Sequence, residues 1–207
     1  MTEKKNKYQE DLSVIRSMME RSSKFISLSG LSGITAGLIA LTGGIWALYL
    51  VQGEGRNYLA GSAIPYSTSL LKQLFLIALL ILALALASAV FFTVRKTRKS
   101  GLKVWTTATK QLLGHLFVPL LIGGTCCLGL IYHGVYWLVA PATLIFYGLA
   151  LINASKYTYQ DVYYLGLMQA GLGIIGCFVI GYGLICWIVG FGILHIAYGI
   201  LMQRKYH

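Results

Sequence analysis

Five polar side chains interrupt the long uncharged stretches of this chain: Ser32, His115, Asn153, Gln169 and His195. A neutral imidazole offers one donor and one acceptor, and near pH 6.5 it can also take up a proton. Amides and a hydroxyl can orient a solute or one another. Counted from the ends of the apolar runs, all five fall in the same half of the bilayer. They are therefore expected to form either a polar layer lining a cavity open to the cytoplasm or a set of interhelical hydrogen bonds. His195 is the leading residue of the five. Gly192 and Gly199 lie three before and four after it, on its own helical face, leaving space for a neighbouring helix, water or solute. Gln169 or a hydroxyl is a suitable hydrogen-bond partner for it.

No Asp, Glu, Lys or Arg stands deep inside an apolar run, which argues against ion- or proton-coupled transport. The segment Gly30-Leu31-Ser32-Gly33 reads G-x-S-G and, with His195, resembles the Ser–His dyad of the rhomboid intramembrane proteases. The resemblance implies an intramembrane hydrolase using Ser32 and His195. Here, however, the serine falls on the first span rather than the fourth, and the other rhomboid motifs are missing. Cys126, Cys127, Cys177 and Cys186 lack the C-x-x-C or Cys/His spacing of a metal or redox site, so no cofactor and no metal is expected. Cys177 and Cys186 flank the Gly181–Tyr182 turn symmetrically, which leaves open a disulfide across it.

The elements that carry these residues follow from composition. Of 207 residues, 57% are hydrophobic and 11% charged, less than half the charge a soluble domain uses to cover its surface. Six apolar runs fit bilayer-spanning helices at approximately 25–51, 70–94, 111–132, 134–152, 162–180 and 184–202. The fold class is thus an all-α membrane protein. It divides into a cytoplasmic segment, 1–24, and a six-span membrane domain, 25–207. From Asp11, Leu12, Ile15, Met19 and Ile26 share one face of an amphipathic helix, supported by opposite charges at Arg16/Glu20 and Glu20/Lys24.

Six spans put both termini on one side. Of the 17 Lys and Arg residues, all but Arg56 and Lys72 fall on that side, which the positive-inside rule makes cytoplasmic. That rule also accounts for the net charge of +11 without nucleic acid as a partner. Within the 95–110 loop, Arg95, Lys96, Arg98 and Lys99 are candidate lipid-headgroup contacts, with Trp105 as an interfacial anchor.

Small residues recur at helix-packing spacing: Ser29, Gly33 and Gly37 on the first span, and Gly173 and Gly181 with Cys177 on the fifth. In lipid such ridges let backbones approach closely, within the monomer or across a homo-oligomer. The last four spans form two tandem tight hairpins with a fifty-residue period. Cys127/Cys177, Tyr132/Tyr182, Trp137/Trp187, Val139/Val189 and Leu144/Leu194 match at that offset. Tyr147-Gly148 and Tyr198-Gly199 match after a slip of one residue.

APATLIFYGLALINASKYT (140–158) and GFGILHIAYGILMQRKY (190–206) resemble stretches of multi-pass, six-span bacterial inner-membrane proteins. The resemblance implies that location and brings no activity with it. The functional expectation is a non-catalytic sensor, accessory or regulatory membrane component that meets a cytoplasmic protein through residues 11–24. A small channel or transporter for a neutral or apolar solute ranks second, and the intramembrane hydrolase third.

Overall fold

In the computed structural model, which describes residues 29–53 and 66–206, six helices are long and apolar enough to cross a membrane. They are α1 (Gly30–Gly53), α2 (Thr68–Lys99), α3 (Thr107–Tyr132), α4 (Val139–Ala154), α5 (Asp161–Phe178) and α6 (Gly183–Tyr206). Single 3-10 turns at Tyr136–Leu138 and Ser155–Tyr157 extend α4 at both ends. Within α6, residues Ile188–Leu194 form a π-helical segment. The amphipathic helix expected from Asp11 lies outside the described residues.

Local chemistry sets the helix limits. Ser67 caps α2 by accepting the Leu70 N–H, and Thr106 forms a capping box with Thr109 at the start of α3. The ends of α2 and α3 share one device. Gly101 N–H bonds to the Arg98 carbonyl and Leu102 N–H to that of Thr97; Gly134 and Val135 repeat the pattern on Ile131 and Leu130. These are Schellman caps, and Gly101 and Gly134 take the left-handed conformation they require, at φ +68° and +74°.

α4 lies antiparallel to α3 and α5, α1 antiparallel to α2 and α6, and α6 closes antiparallel on α5 and parallel to α4. α2 packs chiefly on α1 and is the least buried span. At 32 residues it is about 48 Å long, against a hydrocarbon core of about 30 Å, so its basic last turns extend beyond the apolar slab or the helix tilts.

Glycines form the closest seams. A methyl group on Gly199 would fall 2.5 Å from the Ile34 nitrogen and 2.6 Å from the Gly30 carbonyl oxygen. Gly33 and Gly37 continue this α1–α6 seam, against Gly199 and His195 and against Gly192 and Ile196. Between α4 and α5, Gly148 faces Gly166 and Ala170, and Gly173 faces Pro141 and Ile145. The ridge glycines Gly33, Gly37 and Gly173 are thus used inside the chain. Ser29 is buried immediately before α1. The sequence grouped Gly181 with the α5 ridge, and this needs correction. α5 stops at Phe178, and Gly181 occupies a turn closed by Tyr182 N–H on the Val179 carbonyl, at φ +91°.

Candidate functional site

The helices sort the five polar residues into two hydrogen-bonded clusters and one separate serine. The first cluster lies where α4, α5 and the π segment of α6 meet. Gln169, fully buried on α5, donates its Nε2 to the Gly190 carbonyl at 2.8 Å. His195 Nδ1 stands 3.0 Å from the same carbonyl and 3.1 Å from Gln169 Nε2. With the ring proton on Nδ1, His195 donates to that carbonyl and Nε2 accepts the Tyr147 hydroxyl hydrogen at 2.9 Å; with it on Nε2, the ring donates to Tyr147 and Nδ1 accepts from Gln169. The Phe191 ring stacks on the imidazole and tilts against Tyr147.

Why the Gly190 carbonyl draws side-chain donors follows from the backbone. A π turn shifts the ladder from i+4 to i+5 and misaligns it locally, and the backbone N–H of His195 is directed to the Gly192 carbonyl. Gly190 also has to lack a side chain. A methyl group there would fall 2.5 Å from Gln169 Oε1 and 2.6 Å from Leu144 Cδ2. Gln169 Oε1 itself has no hydrogen-bond partner, nor has the buried Tyr198 hydroxyl one turn further along α6.

The second cluster joins α3 to the end of α4. Pro119 lies inside α3 and has no N–H, so it cannot donate to the carbonyl four residues earlier. That carbonyl belongs to His115, and Asn153 Nδ2 donates to it at 3.0 Å. The His115 imidazole stacks on Tyr157, whose hydroxyl is 2.9 Å from His115 Nε2.

Ser32 belongs to neither cluster. Its hydroxyl donates to the Ser29 carbonyl in the first turn of its own helix. The ring nitrogens of His195 face Tyr147, Gln169 and Gly190 instead of Ser32, so the geometry does not assemble the Ser–His dyad. Sequence reasoning missed Tyr157 and the Gly190 carbonyl, and reached Tyr147 only through the repeat. The signal for the His115–Asn153 contact was present in the four-residue spacing from His115 to Pro119. The π turn has no comparable composition signal.

The four cysteines are free thiols, Cys127 and Cys186 buried and Cys126 exposed. Among the described residues no group of His, Cys, Asp and Glu side chains has the arrangement to hold a metal ion.

The antiparallel packing brings Arg95, Lys96, Arg98, Lys99, Lys103, Lys110, Lys156, Arg204 and Lys205 to one end of the bundle, with Lys72 at the other. At the basic end Lys205 pairs with Asp161 at 2.9 Å, and the Tyr206 hydroxyl donates to the same carboxylate at 2.7 Å. Tyr159 packs on Tyr206 there, and burial with that neighbour pushes its phenol above the ordinary value. Arg95, Arg98, Lys99 and Trp105 are exposed, whereas Lys96 is half-buried. No protein-family model, curated protein or solved structure matches the chain.

Proposed function

We propose that this chain is a non-catalytic component of the bacterial inner membrane, a sensor, accessory or regulatory subunit with both termini in the cytoplasm. The observation that carries this reading is where the intramembrane polar groups are used. Asn153 serves a carbonyl deprived of its helical donor by Pro119, and Gln169 and His195 converge on a carbonyl in the π turn. An unsatisfied backbone group in lipid costs several kcal/mol, so irregular backbone requires such partners. The polar residues thereby hold α3, α4, α5 and α6 in one arrangement, and reactive chemistry has no need of them. The one-sided cation distribution supports cytoplasmic placement of the basic end. The partner surface in this reading is the amphipathic segment 11–24.

The last four spans are read here as a duplicated hairpin. The offset between matching residues rises from fifty at Leu144/Leu194 to one more at Tyr147/Tyr198, immediately beyond the π segment Ile188–Leu194. Gly148 and Gly199, paired by the same offset, each seat the backbone of a neighbouring helix.

Crosslinking in intact cells tests the reading, with the full chain compared to one lacking residues 11–24. The expectation is a soluble protein recovered with the full chain and lost with the truncation. A second reading, passage of a neutral solute, draws on the unpartnered Gln169 Oε1 and Tyr198 hydroxyl. Proteoliposome flux that His195→Leu abolishes would move the assignment there.

A further inference from the structure

The outer face of α2 carries an open trough of about 750 Å³, lined by Leu86, Ala87, Val90, Phe91, Val94, Arg95 and Arg98. Its walls are two adjacent i+4 rows, Ala87–Phe91–Arg95 and Leu86–Val90–Val94–Arg98, so one helix builds the whole feature. Ala87 is the smallest side chain of the lining, and Val90 and Phe91 are well exposed beside it. From Leu86 to Arg98 the helix rises about 18 Å, close to the depth of one leaflet of a hydrocarbon core about 30 Å thick. At the basic end the apolar walls give way to two guanidinium groups, and among the described residues neither has a hydrogen-bond or ion-pair partner.

We propose that this trough binds one anionic phospholipid of the leaflet at the basic end. An acyl chain lies along Ala87, Val90, Phe91 and Val94, and the phosphate sits on Arg95 and Arg98. Charge complementarity selects the occupant. Planar guanidinium forks recognise phosphate oxygens, and their position one leaflet-depth along an apolar wall is where a lipid phosphate resides. A partner helix would have to bring carboxylates to the same depth to satisfy both arginines. The inference rests on the membrane reading and goes beyond a general attraction of the loop to anionic lipid, because it assigns the contact to two of the loop's cations and to one face.

Native mass spectrometry of the full chain, delipidated and titrated with phosphatidylglycerol or phosphatidylcholine, tests it. The Arg95→Gln/Arg98→Gln variant should lose about tenfold in phosphatidylglycerol retention and keep its phosphatidylcholine binding. The charge-matched Lys103→Gln/Lys110→Gln variant should change by no more than about twofold, because its cations lie outside the trough. Ala87→Phe, which fills the hollow and leaves every charge in place, should weaken phosphatidylglycerol retention as well. Equal losses in the two charge variants would overturn the site in favour of a diffuse surface effect. Efficient crosslinking between Val90→Cys copies in nanodiscs would overturn it in favour of a second protein chain. Failure of the chain to reconstitute into nanodiscs at all would count against the membrane reading. Reconstitution without lipid preference would count against this site alone.

Discussion

The amide of Asn153 donates to the carbonyl of His115 across 3.0 Å, and Pro119, four residues beyond His115, is the reason that carbonyl is available. The contact makes a specific energetic prediction. Asn153→Leu should destabilise the protein by about 1 kcal/mol in detergent unfolding, the usual range for an intramembrane hydrogen bond. In a Pro119→Ala background the restored N–H can serve the carbonyl, and the cost of Asn153→Leu should fall by at least half. A double-mutant cycle with no coupling would show that the amide and the proline act independently.

Gln169 and Gly190 should behave as a lock and its clearance. Gln169→Leu removes the shorter of two side-chain contacts to a buried carbonyl and should cost about 1–2 kcal/mol. Gly190→Ala pushes a methyl group into Gln169 Oε1 and Leu144 and should cost about 1–3 kcal/mol by overpacking. Because both act on one contact, the double variant should lose less than the sum of the two. Thermal or denaturant midpoints of the three variants check this.

Glycine substitutions should divide by position. Gly199→Ala and Gly148→Ala place a methyl group against the backbone of another helix, so the helices must part, at a cost of about 1–3 kcal/mol each. Gly124 has open space around it, and Gly124→Ala should stay within about 0.5 kcal/mol of the parent chain. Equal effects at all three positions would remove the seams as a source of stability.

Tyr147→Phe tests the other side of the His195 ring. It deprives Nε2 of its hydroxyl partner without changing shape, and should cost about 1 kcal/mol. The indicator of a local effect is unchanged lipid retention at the α2 trough, which lies on a different helix.

The six helices were legible because charge is absent over whole spans and concentrated between them, a pattern with few structural solutions in lipid. The cluster geometry was less so. His195 and Gln169 were visible as polar residues in apolar helices, but Tyr147, counted only as part of the repeat, completes their bonding. The Gly190 carbonyl became an acceptor through a π turn, which depends on how α6 packs and not on local propensity. Ser32 shows the opposite failure. A hydroxyl in a Gly/Ser-rich segment resembled a nucleophile, yet its nearest acceptor is the Ser29 carbonyl in its own first turn. Gly181 kept the ridge spacing in sequence, and the end of α5 at Phe178 moved it into a turn.

The account turns on whether the polar cluster at His195 is closed or lines a path for water and solutes. The direct measurement is labelling of His195→Cys, in a background without the four native cysteines, by a membrane-impermeant thiol reagent applied from each side of the bilayer. Size exclusion confirms that the variant is folded, and labelling after denaturation confirms that the thiol is reactive. The account predicts no labelling from either side while the protein is folded. Rapid labelling from one or both sides would contradict it and identify an aqueous pathway through the bundle.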